Sequence, residues 1–200
     1  MSSSRLAVGI LGGTFDPPHV GHLAIATAVR EELSLDEVLL VVANEPWQKV
    51  GSRPLSAATD RLAMVRGAVE GCEGLTASAI EIERGGPSYM IDTLTEIKRR
   101  DPEISLFLIL GADAAALLDT WVRHEDLPDL ATLVIVDRPG CGTSIEPAGW
   151  NVIHVTGPES AVSSSSVRAA FARGDEVDNL VPGPVLAQIR QRGLYGVGRT

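Results

Sequence analysis

The chain has 200 residues, 44% hydrophobic and 22% charged, a balance that suits one compact domain spanning 1–200 and excludes collagen-like or low-complexity structure. Acidic residues outnumber basic ones 26 to 17, a net charge of −9, so nucleic acid and anionic membranes are repelled and a polyanionic ligand must be met by a local cationic site. No apolar run reaches the ~18 residues of a membrane helix, and the two cysteines, Cys72 and Cys141, sit in unrelated contexts. A reduced, cytoplasmic protein with no protein-held metal is the expectation.

Short apolar runs alternate with helix-period segments. Leu6–Leu11, which ends in Gly12-Gly13, reads as a first strand, and Val20–Leu33, apolar on most sides, as a well-buried helix. Val38–Ala43 is a second strand. Leu55, Ala58, Leu62, Val65 and Val69 then step by three and four along one helical face. Leu75–Glu83 is a less apolar strand candidate, followed by a helix marked by Met90, Leu94 and Ile97. Ile104–Leu110, a short helix over Ala112–Leu118, and strands at Leu133–Val136 and Asn151–Val155 follow, with a Gly/Pro-rich loop at 138–150. Two helices, Ser163–Arg173 and Val185–Arg192, close the chain as a small helical subregion over about 163–195, with Gly193 as the last stop. Near-continuous Val/Ile/Leu strands alternating with helices predict a doubly wound α/β fold on a parallel sheet. Ligands of such folds bind beyond the carboxyl ends of the strands.

The strongest chemical signal joins the first strand to the first helix: Gly12-Gly13-Thr14-Phe15-Asp16-Pro17-Pro18-His19-Val20-Gly21-His22. Two glycines allow close backbone approach to a ligand. His19 and His22, three apart, share a face of the first helical turn, whose N–H groups and dipole favour phosphate. A zinc pair fits the spacing, but no third ligand accompanies it. A Walker A loop is excluded because neither lysine follows a glycine, and no GxGxxG follows a strand. Ser163-Ser164-Ser165-Ser166 before an apolar helix reads either as a flexible linker or as an N-terminal anion cradle, with Arg168 near the same end to grip phosphate oxygens. Trp121, taken alone, reads as a core tryptophan. His124 and His154 match no motif and read as surface or structural.

The Gly12–His22 segment resembles the nucleotidyltransferase superfamily signature, Gly-x-Phe-Asp-Pro-x-His-x-Gly-His. More closely, the chain is similar to the bacterial nicotinate-nucleotide adenylyltransferase family. Gly86-Pro87-Ser88-Tyr89 with Asp92-Thr93-Leu94, Gly111-Ala112-Asp113 with Trp121, Val162–Arg168, and Leu180-Val181-Pro182 with Arg192-Gly193-Leu194-Tyr195 carry the likeness, which runs from about residue 6 to 195. One segment departs from the family's Pro-Asn…Pro-Pro-His-Lys pattern. In Ala43-Asn44-Glu45-Pro46-Trp47-Gln48-Lys49 the lysine remains, but Gln48 stands where the family has histidine.

The resemblance implies a Rossmann-like nucleotidyltransferase fold and transfer of the adenylyl group of ATP to nicotinate mononucleotide, giving deamido-NAD and pyrophosphate. It implies catalytic roles for His19, His22 and Arg168. It places ATP against Gly12, Gly13, Thr14, Phe15, His19, His22, Gly111, Asp113, Ser163, Ser164, Ser165 and Arg168. It places the mononucleotide against Asn44, Trp47, Lys49, Ser88, Tyr89, Thr93 and Trp121, with the pyridine ring stacked on the Trp121 indole. Mg²⁺ is expected to arrive with ATP rather than in a protein cage, and Asp16 to brace its loop. Adenylylation of nicotinamide mononucleotide or phosphopantetheine, and a non-catalytic nucleotide sensor, are the alternatives; homo-oligomer formation is open.

Overall fold

A computed structural model of the protein describes residues 5–47, 54–140, 146–159 and 162–198. The elements, in chain order, are β1 (Ala7–Gly13), α1 (Val20–Glu32), β2 (Glu37–Val42), α2 (Ala58–Val69), β3 (Leu75–Ser78), α3 (Ile80–Arg84), α4 (Met90–Arg100), β4 (Ser105–Gly111), α5 (Ala112–Ala115), β5 (Thr132–Asp137), β6 (Val152–Thr156), α6 (Ser164–Arg173) and α7 (Gly183–Arg192). The strands form one sheet in the order β3-β2-β1-β4-β5-β6. The pairs β1–β4, β4–β5 and β5–β6 are parallel. The order reverses between β1 and β4, the switch point of a doubly wound α/β fold, as the apolar runs predict.

Contacts group the chain into two compact units, one of Met1–Gly12, Ile25–Leu39 and Tyr89–Glu159, the other of Gly13–Ala24, Leu40–Ser88 and Ser160–Thr200. In the first, β4 and β5 carry Leu108, Ile109, Leu133, Val134 and Ile135, all without exposed surface. Gly9 is required there by close packing, since a Cβ would sit 2.8 Å from Ile109 Cδ1 and 2.9 Å from Val38 Cγ2. In the second, Met64, Ala68, Val167, Val177, Val181, Val185 and Ile189 form a core shared by α2, α6 and α7. The capping residues explain the helix limits. Ser163 and Ser166 form a capping box at the start of α6, and Gly174 and Gly193, both left-handed, stop α6 and α7.

Three expectations are corrected. β3 ends at Ser78, and Ile80–Arg84 is helical rather than extended. Ser78 Oγ accepts the Ile80 N–H at 3.4 Å, and Glu81 and Glu83 favour the helix N-terminus they occupy. Helix α1 is half-buried: Gly21, Ala26 and Val29 are covered while Thr27, Glu31 and Glu32 face solvent. The predicted helix over Ala112–Leu118 breaks into α5 and a 3₁₀ turn at Leu118–Thr120.

Candidate active site

The loop after β1 lies in the second unit and is tightly determined. Phe15 is 2% exposed and left-handed, with φ of 50°. That conformation is costly for a bulky residue and persists only where the surroundings enforce it. Gly13 makes room for it: a Cβ there would meet the Phe15 ring at 2.9 Å. This glycine is thus needed for the packing of Phe15. Asp16 is 1% exposed and accepts the Tyr195 hydroxyl at 2.6 Å on Oδ1. Burial and then the Asp16 carboxylate push the Tyr195 phenol far above its ordinary pKa.

His19 and His22 follow. Their ring centroids lie 3.7 Å apart, and the Phe15 ring meets His22 edge-on at 4.9 Å. The His19 N–H donates to His22 Nδ1 at 3.1 Å, half of a capping box in which the side chain three residues on reaches back. An accepting Nδ1 puts the proton of neutral His22 on Nε2. His19 is buried, its Nδ1 has no hydrogen-bond partner among the described residues, and burial lowers its pKa from 6.5 to about 4. At neutral pH it is an uncharged imidazole. Part of the expected anion site is already used, because the Val20 N–H donates to the Leu180 carbonyl at 3.0 Å and the His22 N–H to the His19 carbonyl at 3.0 Å.

The serine turn of α6 is tied to the same loop, so the linker alternative falls away. Ser164 Oγ donates to the Pro17 carbonyl at 2.8 Å. Arg168 donates from Nη1 to the Asp16 carbonyl at 2.7 Å and from Nη2 to Ser165 Oγ at 3.0 Å. Ser163 caps the helix by accepting the Ser166 N–H at 3.0 Å. Phe171 of this helix stacks on Tyr195 at 5.7 Å. His19, His22, the serines and Arg168 are therefore all anchored on Thr14–His22.

The loop after β2 is also in this unit. The Asn44 N–H donates to Ser88 Oγ at 2.8 Å, Asn44 Nδ2 to the Gly86 carbonyl at 2.9 Å, and the Ser88 N–H to the Glu45 carbonyl at 3.0 Å. Two predicted mononucleotide residues, Asn44 and Ser88, are thereby joined. Trp47 is exposed. Lys49 and Gln48 lie outside the described residues.

The remaining candidates belong to the first unit. A Cβ on Gly12 would meet only the terminal methyl of Met90, at 2.7 Å, the far end of a flexible, half-buried side chain that can move aside, so packing does not by itself demand this glycine. Gly111 ends β4 and Asp113 follows in α5, paired with Arg138, both side chains exposed. Thr93 is fully buried, its hydroxyl donating to the Tyr89 carbonyl at 3.4 Å. Trp121 is half-buried, and its Nε1 has no hydrogen-bond partner among the described residues. His154 is bonded through Nδ1 to Asp137 Oδ2 at 2.6 Å. A cavity of about 940 Å³ is bordered by Asp113, Asp119, His124, Glu125, Asp129 and Glu146 among others. Its carboxylates repel a polyphosphate, so the nucleotide phosphates are better matched to Thr14–His22.

Sequence reasoning missed Arg61. It is 1% exposed and donates to four carbonyls: Thr14 at 2.8 Å, Ala43 at 2.6 Å, Asn44 at 3.0 Å and Ser56 at 3.0 Å. The signal was present: with Met64, Val65 and Ala68, Arg61 occupies the i, i+3, i+4, i+7 stripe of α2 that is buried.

The fold and the His19–His22 turn define a class, the α/β nucleotidyltransferases, and comparison with known proteins narrows it. The cytidylyltransferase-like family model matches residues 10–170. A Corynebacterium kroppenstedtii protein named "Probable nicotinate-nucleotide adenylyltransferase" is 41% identical over 97% of this chain and 93% of its own. Proteins of the same name from Streptomyces coelicolor and Thermus thermophilus are each 42% identical, over 92% and 95% of this chain and 98% and 100% of their own. Among solved structures, Plasmodium falciparum nicotinic acid mononucleotide adenylyltransferase complexed with NaAD superposes with a TM-score of 0.77 at 16% identity, covering 98% of this chain and 100% of that one. The chain belongs to the cytidylyltransferase-like family, in its nicotinate-nucleotide adenylyltransferase branch.

Proposed function

We infer that this chain transfers the adenylyl group of ATP to nicotinate mononucleotide, releasing pyrophosphate and forming deamido-NAD for NAD biosynthesis. The observation that carries this is the anchoring of two histidines, a serine-capped helix and Arg168 on one loop, in a chain over 40% identical to enzymes of that name along nearly its whole length. An oxygen of the mononucleotide 5′-phosphate attacks the α-phosphorus in line. A new P–O bond forms, the α–β bridging P–O bond breaks, and the electron pair leaves on pyrophosphate. The attacking phosphate is already anionic, so no general base is required. The demand is to bring two polyanions together and to meet charge developing on the transferred group.

The donor assignments supply that. His22 presents Nε2–H, and neutral His19 adds a donor that needs no counter-ion. Arg168 and the N-terminus of α6, with Ser163, Ser164 and Ser165, hold the leaving pyrophosphate. The family resemblance further assigns Gly12, Gly13, Thr14, Phe15, Gly111 and Asp113 to ATP, and Asn44, Trp47, Lys49, Ser88, Tyr89, Thr93 and Trp121 to the mononucleotide. Among the described residues no group of three or more His, Cys, Asp or Glu could hold a metal ion. Mg²⁺ would enter with ATP as part of the substrate and neutralise phosphate charge there. Among the described residues no helix is long and apolar enough to cross a membrane. We place the reaction in the cytoplasm, on a chain acting as one nucleotidyltransferase domain.

Pyrophosphate release from ATP with nicotinate mononucleotide, nicotinamide mononucleotide and phosphopantetheine tests the reading. The acid mononucleotide is expected to have the highest kcat/KM by at least tenfold. Preference for another acceptor overturns the substrate assignment, and no turnover with any of them overturns the enzyme reading in favour of a nucleotide sensor.

A further inference from the structure

Arg61 lies beneath both loops to which the reaction is assigned. One guanidinium reaches Thr14, in the loop after β1, and both Ala43 and Asn44, in the loop after β2. The loops also meet directly, the Ala43 N–H donating to the Gly13 carbonyl at 3.0 Å. Ser88 and Gly86 hold the far side of Asn44. Because a trans peptide points its C=O and N–H in opposite directions, drawing the Thr14 and Asn44 carbonyls onto Arg61 turns the Phe15 and Glu45 N–H groups away from it. The planar fork, with donors in fixed directions, suits this task; a lysine, with one ammonium on a flexible stem, cannot reach all four carbonyls.

We propose that Arg61 is a positioning residue that fixes the spacing between the Gly13–Phe15 and Ala43–Glu45 loops, and so the alignment of the attacking phosphate with the α-phosphorus. The inference rests on the reading above for what the two loops bind. Arg61 touches neither substrate; it acts through the backbone that does. A displacement of about 1 Å in such an alignment costs on the order of a hundredfold in rate.

The test uses the whole chain and its Arg61→Lys and Arg61→Gln variants. Affinities for ATP alone and for nicotinate mononucleotide alone are measured beside kcat. Arg61→Lys is expected to lower kcat at least tenfold while each separate affinity stays within threefold, because each loop still binds and only their spacing slackens. Amide hydrogen exchange at 13–15 and at 43–45 is expected to rise at least fivefold together. In the wild-type protein, ATP alone should slow exchange at 43–45 at least threefold; absence of that effect overturns the coupling even if the variants do not fold. A kcat within threefold of wild type, unchanged exchange at either segment, or no effect of ATP on 43–45 overturns the proposal. So does a parallel fall of kcat and both affinities with an early-melting protein, which would make Arg61 merely structural. If wild-type protein gives no turnover, the reaction assignment falls, and the exchange of the variants still decides whether Arg61 couples the loops.

Discussion

Around Thr14–His22, arginine is directed at backbone carbonyls; beyond β4 and β5 it is directed at exposed carboxylates. Arg61 and Arg168 fix the carbonyls of Thr14 and Asp16, on either side of the left-handed Phe15. Arg138 pairs with Asp113, and Arg123 with Asp126, in water. The difference is one of consequence. Arg168 is half-buried, but Arg61 is fully buried; a buried guanidinium bonded to carbonyls shapes a backbone, and its removal leaves acceptors unsatisfied at about 1–3 kcal/mol each. An exposed ion pair shapes little and contributes roughly 0–1 kcal/mol. Preorganisation is therefore concentrated in the histidine loop, and the charged groups after β4 and β5 are held loosely enough to change partners.

The largest expected effect breaks the first half of that contrast. In His22→Asn the amide oxygen can still accept the His19 N–H, so the turn survives, while the ring Nε2–H is lost. Removing one donor aimed at developing charge lowers rates by roughly 10²–10³. Pyrophosphate release should fall by that factor with little change in the denaturation midpoint. Loss of the fold instead would mean that His22 supports the turn rather than the reaction.

A second, intermediate effect comes from acid. The pKa of His19 is about 4 when folded against 6.5 when unfolded, so between those values the unfolded chain binds the extra proton. Stability is full above about pH 6.5 and declines as pH falls through 4, by about 3 kcal/mol at most. Urea denaturation across this window should show the decline, and His19→Gln should flatten it. An equal slope in the variant would place the acid sensitivity in another group.

The parts of this arrangement that were legible in the sequence share a cause. Buried strands announce themselves as Val/Ile/Leu runs, and Gly12–His22 carries its chemistry in side chains at fixed spacing. Burial also decided what was missed. Arg61 hid because a cation within an apolar stripe looks like a surface residue until its carbonyl partners, 5 to 47 residues away in sequence, are brought to it. Leu75–Glu83 was misjudged because a four-residue strand and a five-residue helix share too few residues for either period to emerge. Gly12 and Gly13 read as room for backbone approach to a ligand; that the Phe15 ring lies against Gly13 depends on packing no local pattern encodes.

The smallest expected effect on stability sharpens the second half of the contrast. Asp113 and Arg138 are paired with 83% and 71% of their side-chain surfaces exposed, so Asp113→Asn should change unfolding free energy by less than about 1 kcal/mol. The assignment of Asp113 to the ATP site makes a separate demand, that the KM for ATP rise at least fivefold in the same variant. A carboxylate accepts two ribose hydroxyls where an amide oxygen accepts with one atom only. Steady-state kinetics beside a denaturation curve tests both. A raised KM on an unchanged fold means that Asp113 exchanges Arg138 for substrate, whereas an unchanged KM leaves it a solvated loop acid and confines the nucleotide contacts to the histidine loop.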